Sequence, residues 1–263
     1  WGDGQTSLVN PNETNAAHIY LDDGSYMVRV GARDEDGIFV STNEVTVVVS
    51  NVAPALTLSG DSLVDEGSVY TLNLSDIDPG NDTISEWIID WGDGTSTNGV
   101  PGKIVSGNPS SVTHVYADGD NQYTITATAM DEDGTYTAGN TLTVNVQDVS
   151  PSPTVNGNTL ITEGAQIEIN LTSNDPGIDP INSWIIDWGD GTTPDVLPGD
   201  ALSAVHTYAD DGEYNIVATV DNNDGSFASA PHVVTVYNVS PIITVAGEVQ
   251  SDSTQPFKLT LGN

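Results

Sequence analysis

Apolar and polar side chains alternate with a period of two along many short segments of this chain. In residues 123–129 the odd-numbered positions are Tyr, Ile, Ala and Ala, and the even-numbered positions are all Thr. Residues 214–220 likewise place Tyr, Ile, Ala and Val at alternate positions. Such alternation is typical of a β-strand with one buried face. Clusters of Gly, Asp, Asn and Pro separate the segments, and no useful length of helical periodicity is present, so the pattern predicts an all-β fold.

Four landmarks recur in the same order, which indicates an internal repeat. Trp-Gly-Asp-Gly occurs at residues 1, 91 and 188. His-x-Tyr follows each copy, and a Tyr that precedes a Gly by eleven residues follows the His-x-Tyr. The last landmark is a proline after a short linker, at Pro54, Pro151 and Pro241.

The landmarks divide the chain into four predicted parts. Residues 51–150 and 151–240 are complete units, residues 1–50 are the C-terminal part of an earlier unit, and residues 241–263 are the N-terminal strands of a further unit. Each complete unit has about seven short strands in about 90 residues, which predicts a two-sheet β-sandwich with Greek-key links.

Two interpretations explain the partial units. In the first, the chain is a window from a longer array. In the second, the C-terminal strands of one molecule complete the N-terminal unit of the next by strand addition, which makes a head-to-tail polymer. The stretch equivalent to residues 77–90 is absent from both ends, which favours the first interpretation.

The chain carries a large negative charge. Its 263 residues include 38 acidic and 4 basic side chains, a formal charge of −34 at pH 7. This charge repels phosphate backbones and anionic lipid surfaces, so we expect no nucleic-acid partner. The absence of Cys excludes disulfides and thiolate metal sites. No run approaches the roughly 18 apolar residues of a membrane span, so no membrane insertion is expected in this segment.

The segment IIDWGDGT occurs at residues 88–95 and again at residues 185–192. Each Trp ends an alternating run, so we expect it to point into the core, and the Gly-Asp-Gly that follows to make a turn. The Asp is expected to bond to the backbone of this turn, and the His of His-x-Tyr to form hydrogen bonds beside a Tyr at a corner of the sandwich. The motif is therefore interpreted as structural, and its residues are Trp91, Gly92, Asp93, Gly94, His114 and Tyr116 in one unit and Trp188, Gly189, Asp190, Gly191, His206 and Tyr208 in the next.

Three motifs in this order, W-G-D-G-T, H-x-Y and a Tyr-led strand ending in D-E-D-G, resemble the polycystic kidney disease (PKD) domain. The resemblance covers essentially the whole chain, as two complete and two partial copies. It implies tandem immunoglobulin-like β-sandwiches, with about seven strands per unit, of the kind found in large extracellular and cell-surface proteins. It also implies a role as a spacer, or as a binding accessory in secreted enzymes.

Catalytic and sugar-binding roles find little support in the sequence. Three of the four His belong to the repeated His-x-Tyr, and His232 stands alone. Asp pairs that could mimic glycosidase carboxylates lie in repeated turns rather than in one cleft. Sugar binding needs exposed aromatic faces, but all five Trp belong to the core-facing motif. We therefore expect no catalytic residue and no enzyme activity.

Acidic residues are concentrated in two loops of each unit and in the linker before it. The first loop is S-D-I-D-P-G-N-D in the middle unit, which ends in Asp82, and the second is D-E-D-G. These loops and the linker lie at one end of an immunoglobulin-like sandwich. The candidate metal ligands are Asn51, Asp76, Asp78, Asp131 and Asp133 in the middle unit, Asp148, Asp175, Asn222 and Asp224 in the next, and Asp34 and Asp36 in the first partial unit.

Carboxylates at this density repel one another unless a cation neutralises them. Oxygen ligands on flexible loops suit Ca²⁺ better than Mg²⁺ or a transition metal. The resemblance supports this geometry, because some PKD-like domains carry Ca²⁺ at this end. The alternative interpretation is a solvated set of acidic loops, or an acidic surface adapted to high salt.

These observations predict a non-catalytic structural repeat array, a stalk, filament or adhesin segment of a secreted or cell-surface protein, rigidified by Ca²⁺. The alternative is an accessory polysaccharide- or protein-binding module of a secreted hydrolase. The expected partners are neighbouring repeats of the same chain, with head-to-tail self-association and a surface glycan or protein ligand as further hypotheses.

Overall fold

The alternating segments form β-strands throughout the computed structural model. The structure describes residues 1–97, 100–247, 254 and 259–262, and these residues contain no helix. A helix long and apolar enough to cross a membrane is accordingly not found among them. The chain divides into two compact units, Trp1–Asp148 and Val149–Asn263. The prediction of an all-β fold is confirmed, whereas the four-part division at residues 50, 150 and 240 stays a prediction.

The first unit begins with residues 1–50, which we call the first partial repeat and which contain four strands. They are β1 (Gly24–Val28), β2 (Gly31–Arg33), β3 (Ile38–Val40) and β4 (Val45–Val49). β1 pairs antiparallel with β4, and β2 pairs antiparallel with β3. Tyr26 and Val28 of β1 and Val47 of β4 are half-buried, while the residues between them are exposed. The alternation along these strands is therefore retained, with shallower burial than in the repeats that follow.

The rest of the first unit is the middle repeat (residues 51–148). Its strands are β5 (Ala55–Ser59), β6 (Leu63–Asp65), β7 (Val69–Ile77), β8 (Glu86–Asp90), β9 (Ser96–Thr97), β10 (Val100–Pro101), β11 (Lys103–Ser106), β12 (Ser111–Val115), β13 (Asn121–Met130), β14 (Thr135–Thr137) and β15 (Leu142–Gln147). One sheet has the order β12-β7-β5, and the other has the order β11-β8-β13-β15-β6, with β14 on β13. β9 and β10 form a separate short pair.

The core of the middle repeat consists of the inward positions of both sheets. Trp87 and Ile89 of β8 are fully buried, and Trp91 directly after the strand is 1% exposed. They pack with Leu72 of β7 and Ile125 of β13. The expected inward direction of the Trp side chains is therefore observed, since alternate positions of a strand point to opposite faces.

The second unit contains the third repeat (residues 149–240). Its strands are β16 (Ser152–Gly157), β17 (Leu160–Thr162), β18 (Gln166–Asn174), β19 (Ser183–Asp187), β20 (Asp195–Pro198), β21 (Ser203–Thr207), β22 (Gly212–Asp221), β23 (Ser226–Ala228) and β24 (His232–Tyr237). The sheets have the orders β16-β18-β21 and β17-β24-β22-β19-β20, with β23 on β22. Trp184, Ile186 and Trp188 are buried in a core of their own. Beyond this repeat, β25 (Thr244–Gly247) pairs with β26 (Leu259–Gly262).

Strand register decides which loops of the middle repeat lie together. Glu86 at the start of β8 pairs with Met130 at the end of β13, and Ala55 at the start of β5 pairs with Ile77 at the end of β7. The β7–β8 loop, the turn after β13 and the linker before β5 are therefore at one end of the sandwich. The Trp-Gly-Asp-Gly turn follows the other end of β8, so it lies at the opposite end.

Candidate metal centre

Three carboxylates converge at the linker end of the middle repeat. Asp78 and Asp82 lie in the loop between β7 and β8, and Asp131 begins the turn after β13. One carboxylate oxygen of each residue lies within 4.8 Å of those of the other two. Asp131 is only 7% exposed, and Asp78 and Asp82 are half-buried. We call these three residues the acidic cluster.

Two members of the acidic cluster each use one oxygen to hold their own loop. Asp78 Oδ1 accepts a hydrogen bond from the Gly80 N–H at 2.8 Å. Asp131 Oδ1 accepts hydrogen bonds from the N–H groups of Asp133 and Gly134, both at 2.9 Å. The second oxygens, Asp78 Oδ2 and Asp131 Oδ2, are buried and have no hydrogen-bond partner, and the same is true of Asp82 Oδ1. Because buried charged oxygens without a donor are costly, this arrangement fits the ligand set of a cation.

Asn51 of the linker is tied to the same end of the repeat. Its Nδ2 donates a hydrogen bond to Tyr136 Oη at 2.8 Å, which fixes the orientation of the amide. Asn51 Oδ1 is then left buried without a hydrogen-bond donor. Tyr136 pairs with Ala129, two residues before Asp131, and burial followed by the charge of Asp131 raises its pKa. Asn51 therefore offers a neutral oxygen of the type that Ca²⁺ accepts.

The carboxylates destabilise one another's charged forms. Burial raises the pKa of Asp82 to about 6, and the negative charges of Asp78, Asp133 and Asp22 contribute in the same direction. The pKa of Asp133 is also raised, by desolvation first and then by the charges of Asp23 and Asp131. A bound cation would remove this repulsion.

The opposite end of the middle repeat carries an aromatic stack. The rings of Trp91 and His114 are stacked with centroids 4.6 Å apart, and His114 meets Tyr116 edge-on at 4.7 Å. Tyr116 in turn stacks on Tyr123 at 4.8 Å. Tyr116 Oη donates a hydrogen bond to the main-chain oxygen of Trp91 at 3.2 Å, which closes the stack onto the strand end.

Asp93 connects this stack to the Gly-Asp-Gly turn. Its Oδ1 accepts hydrogen bonds from the N–H of Thr95 at 3.0 Å and from the hydroxyl of Thr95 at 2.7 Å, as expected for a turn residue. Its Oδ2 lies 2.6 Å from Nε2 of His114. Burial acts to raise the pKa of Asp93, but the hydrogen bonds from Thr95 and His114 outweigh it, and the pKa lies below its ordinary value.

The same arrangement occurs in all three copies of the motif. Trp188 and His206 stack at 4.6 Å, and Asp190 Oδ2 lies 2.8 Å from His206 Nε2. In the first partial repeat, His18 likewise stacks on the Trp of its motif at 4.8 Å, and its Nε2 lies 2.7 Å from Asp3 Oδ2. A threefold repetition of one Asp–His contact within a packed aromatic stack supports a structural role. Sequence reasoning missed this contact, although the joint presence of Asp and His in every copy was a signal for it.

Comparison with protein families identifies the repeats. The family model described as the PKD domain matches residues 51–146 and 148–236, well over half of the chain. The chain belongs to the PKD domain family. Comparison with curated proteins gives no match.

Three solved structures are similar to this PKD chain. A PKD domain of an M14-like peptidase from a Thermoplasmatales archaeon is 22% identical with a TM-score of 0.28, and the match covers 34% of this chain and 98% of that one. Fibronectin(III)-like modules of Clostridium thermocellum CbhA are 17% identical with a TM-score of 0.29, covering 70% and 93%. The FN1–FN3 domains of chicken CNTN1 are 14% identical with a TM-score of 0.28, covering 81% and 75%.

The structure does not bring Asp76 into the acidic cluster of the middle PKD repeat. Asp76 lies within β7, where its Oδ1 accepts a hydrogen bond from Asn108 Nδ2 at 2.9 Å. Asn108 Oδ1 accepts a hydrogen bond from Trp87 Nε1 at 3.0 Å, so Asp76 supports the core Trp through Asn108. Asp82, which sequence reasoning did not include among the candidate ligands, takes its place in the cluster. Its position at the end of the same acidic loop was the available signal.

The remaining predicted ligands in the first unit differ in their surroundings. Asp133 is exposed, and its N–H rather than its carboxylate holds the Asp131 turn. Asp34 repeats that turn in the first partial repeat, because its Oδ1 accepts hydrogen bonds from the N–H groups of Asp36 at 3.0 Å and Gly37 at 3.1 Å. Both Asp34 and Asp36 are exposed, and in the described part of the chain they belong to no group of three acidic side chains.

The third PKD repeat has the same loops with different end groups. Asp175 Oδ1 accepts a hydrogen bond from the Gly177 N–H at 3.1 Å, and its Oδ2 is buried without a partner, as in Asp78. Asn222 Oδ1 accepts hydrogen bonds from the N–H groups of Asp224 and Gly225, both at 2.9 Å, so its Nδ2 is the buried atom without a partner. A donor group therefore stands where Asp131 offers an oxygen. Asp224 is exposed, and the prediction that Asp148 joins these residues stays a prediction.

Proposed function

We propose that this chain is a non-catalytic structural repeat array of a secreted or cell-surface protein, and that Ca²⁺ bound at the acidic cluster stabilises it. The family supports the first part, because PKD domains are usually non-catalytic modules and are typically extracellular. The middle and third repeats each have their own core, which suits a spacer built from modules in series.

The observation that carries the Ca²⁺ proposal is the set of buried oxygens without hydrogen-bond donors. Asp78, Asp82 and Asp131 each present one such oxygen, and Asn51 presents another at the same end of the repeat. The donor set is all oxygen, and it lies on loops rather than on a rigid frame. Ca²⁺ accepts such a set with irregular geometry, whereas Mg²⁺ needs a near-ideal octahedron. Transition metals favour His or Cys ligands, and neither type is part of the cluster.

Ca²⁺ would stabilise the fold by linkage. Its ligands come from the β7–β8 loop and from the turn after β13, which are far apart in sequence and meet only in the folded repeat. A ligand that binds only the folded state raises the free energy of unfolding, by about 2.7 kcal/mol at a concentration 100 times its Kd. The array would then be stiff where extracellular Ca²⁺ is plentiful.

A matched pair of charge-removing variants tests this proposal. Asp78→Asn removes a cluster carboxylate, whereas Asp76→Asn removes the same charge two residues earlier, outside the cluster. We expect Asp78→Asn to weaken Ca²⁺ binding by about tenfold or more, because affinity follows the number of charged ligands. Asp76→Asn should leave the affinity unchanged. Isothermal titration of the full chain with Ca²⁺ measures both, and equal effects of the two variants would contradict a site at the cluster.

A further inference from the structure

The loop Leu21–Asp23 of the first partial repeat lies against the acidic loop of the middle repeat. The main-chain oxygen of Leu21 accepts a hydrogen bond from the Asn81 N–H at 2.8 Å. Asn81 directly precedes Asp82 of the acidic cluster. Both loops lie in the same compact unit. One belongs to the first partial repeat and the other to the middle repeat, so we call this contact the joint between the two repeats.

Oxygen atoms from both repeats lie around Gly80 at this joint. A Cβ atom built on Gly80 would lie 3.1 Å from Asp82 Oδ2, 3.3 Å from Asp78 Oδ1 and 3.4 Å from the main-chain oxygen of Leu21. Two cluster carboxylates and a carbonyl group of the preceding repeat are therefore close neighbours. Main-chain carbonyl oxygens are common Ca²⁺ ligands.

Two further carboxylates follow Leu21 directly. Asp23 is half-buried in a repeat that is otherwise mostly exposed. Both are attached to the chain directly after the Leu21 carbonyl that accepts the hydrogen bond from Asn81, so the joint places them beside the acidic loop. Tyr26 Oη donates hydrogen bonds to the main-chain oxygens of Asp22 and Asp23, each at 3.0 Å, which fixes the loop independently of its carboxylates.

The cluster alone supplies fewer ligands than Ca²⁺ takes. Ca²⁺ binds roughly six to eight oxygens, and the acidic cluster with Asn51 offers four buried oxygens without a donor. Asp131, which is 7% exposed, keeps one of these oxygens buried and unsatisfied. The missing ligands must come from water or from a neighbouring segment, and the Leu21–Asp23 loop is the segment in contact.

We infer that the Leu21–Asp23 loop completes the oxygen shell of a Ca²⁺-type cation at the acidic cluster, so that cation binding locks the first partial repeat against the middle repeat. This inference rests on the proposed Ca²⁺ site. It adds a partner for that site, the preceding repeat, and makes the joint between repeats responsive to the cation.

Two amide groups distinguish the proposed Ca²⁺ site from its completion by the Leu21–Asp23 loop. The Asn81 N–H donates across the joint to Leu21, and the Asp133 N–H donates to Asp131 inside the cluster. Hydrogen exchange of both amides is measured by NMR on the ¹⁵N-labelled full chain, with saturating Ca²⁺ and with EDTA. The test variant is Asp22→Asn with Asp23→Asn, which keeps the main-chain contacts to Tyr26. The control is Asp210→Asn with Asp211→Asn, in the equivalent loop of the third repeat, where Tyr214 Oη donates to the main-chain oxygen of Asp210.

We expect Ca²⁺ to slow exchange of both amides in the unaltered chain. In the test variant, Ca²⁺ affinity measured by calorimetry should fall about tenfold, in the usual range for coupling between sites. Ca²⁺ should then no longer protect Asn81 but should still protect Asp133. The control variant should behave like the unaltered chain.

Other outcomes contradict either the shared site alone or both the shared site and the proposed Ca²⁺ site. If the test variant keeps its affinity and its protection of Asn81 while Asp133 is protected, the shared site is wrong and the proposed Ca²⁺ site stands. An equal loss of affinity in the control variant would show an effect that is not specific to the Leu21–Asp23 loop, and would also overturn the shared site. If Ca²⁺ protects neither amide in the unaltered chain, both proposals fail.

Discussion

The carboxyl group of Asp82 in the acidic cluster has a raised pKa. Burial and the charges of Asp78, Asp133 and Asp22 raise its pKa to about 6 in the folded chain, against an ordinary value of 3.8. The folded state therefore binds a proton more tightly than the unfolded state does. This contribution to stability is complete below pH 3.8 and is lost as the pH rises through about 6.

The first prediction concerns Asp82→Asn, which removes the titrating charge. In EDTA we expect the variant to melt at a higher temperature than the unaltered chain at pH 7, and the difference to shrink as the pH falls to about 4. In Ca²⁺ at pH 7 we expect the reverse order, because the variant has lost a charged ligand. Thermal unfolding of both proteins at several pH values measures this.

The reversal of order between EDTA and Ca²⁺ is the decisive part of that experiment. A merely structural role for Asp82 would give the same sign in both solutions. Identical pH profiles for the two proteins in EDTA would contradict the raised pKa.

Single residues of the acidic cluster could be predicted from the sequence only where the turn chemistry is distinctive. Asp131 stands at the first position of D-E-D-G, where one carboxylate oxygen holds two main-chain N–H groups. Asp76 could not be separated from Asp78 in this way, because the sequence does not show that β7 continues to Ile77. Asp76, two residues before Asp78, therefore still lies on the strand, where it accepts a hydrogen bond from Asn108.

At the scale of elements, the end of the Trp strand is fixed by a close approach of two backbones. Gly92 has a φ of +81°, and a Cβ atom there would lie 2.7 Å from the main-chain oxygen of Thr124 in β13. Gly94 has a similar φ of +78°, but a Cβ atom there would meet nothing within 4 Å. Both glycines adopt the left-handed region, and only at Gly92 would a side chain also collide with the neighbouring strand.

The second prediction compares Gly92→Ala with Gly94→Ala. We expect Gly94→Ala to lower the free energy of unfolding by about 1–2 kcal/mol, the strain of a left-handed residue. Gly92→Ala should lose a further 1–3 kcal/mol, roughly, because the strand must move away from Thr124. Urea unfolding of the two variants measures the difference, and equal losses would contradict the close approach.

The strands themselves were predictable because alternation records burial directly. In β13 the residues Ile125, Ala127 and Ala129 are buried, as the period of two requires. The contact between Asp93 and His114 could not be predicted in the same way, because it depends on how the turn after β8 faces the end of β12. Such a contact between separate elements leaves no periodic trace in the sequence.

At the scale of the whole molecule, the charge and the modular construction act together. The two compact units have separate cores, which belong to the middle repeat and to the third repeat, so these two repeats are stabilised mainly by their own packing. A formal charge of −34 opposes compaction. Cations bound at the acidic loops would reduce that repulsion locally.

The tandem PKD organisation was predictable from repeated motifs, whereas assembly was not. The order of Trp-Gly-Asp-Gly, His-x-Tyr and the Tyr-led strand is specific enough to identify the family without coordinates. Head-to-tail self-association, a filament and an adhesion target depend on surfaces outside one repeat, and they stay predictions. A glycan or protein ligand likewise stays a prediction. The aromatic residues of the repeated stack are occupied in packing against one another.

The most direct test of the central claim is calorimetric unfolding of the full chain in excess Ca²⁺ and in EDTA. At a Ca²⁺ concentration 100 times its Kd, linkage predicts about 2.7 kcal/mol of added stability. For a domain of this size, that corresponds to a rise in Tm of roughly 10 °C or more for the middle repeat. At the same Ca²⁺ concentration the rise should fall to about half or less in Asp78→Asn, because a tenfold weaker Kd leaves about 1.4 kcal/mol, and it should persist in full in Asp76→Asn. An unaltered Tm for the unsubstituted chain in EDTA would contradict the Ca²⁺ site.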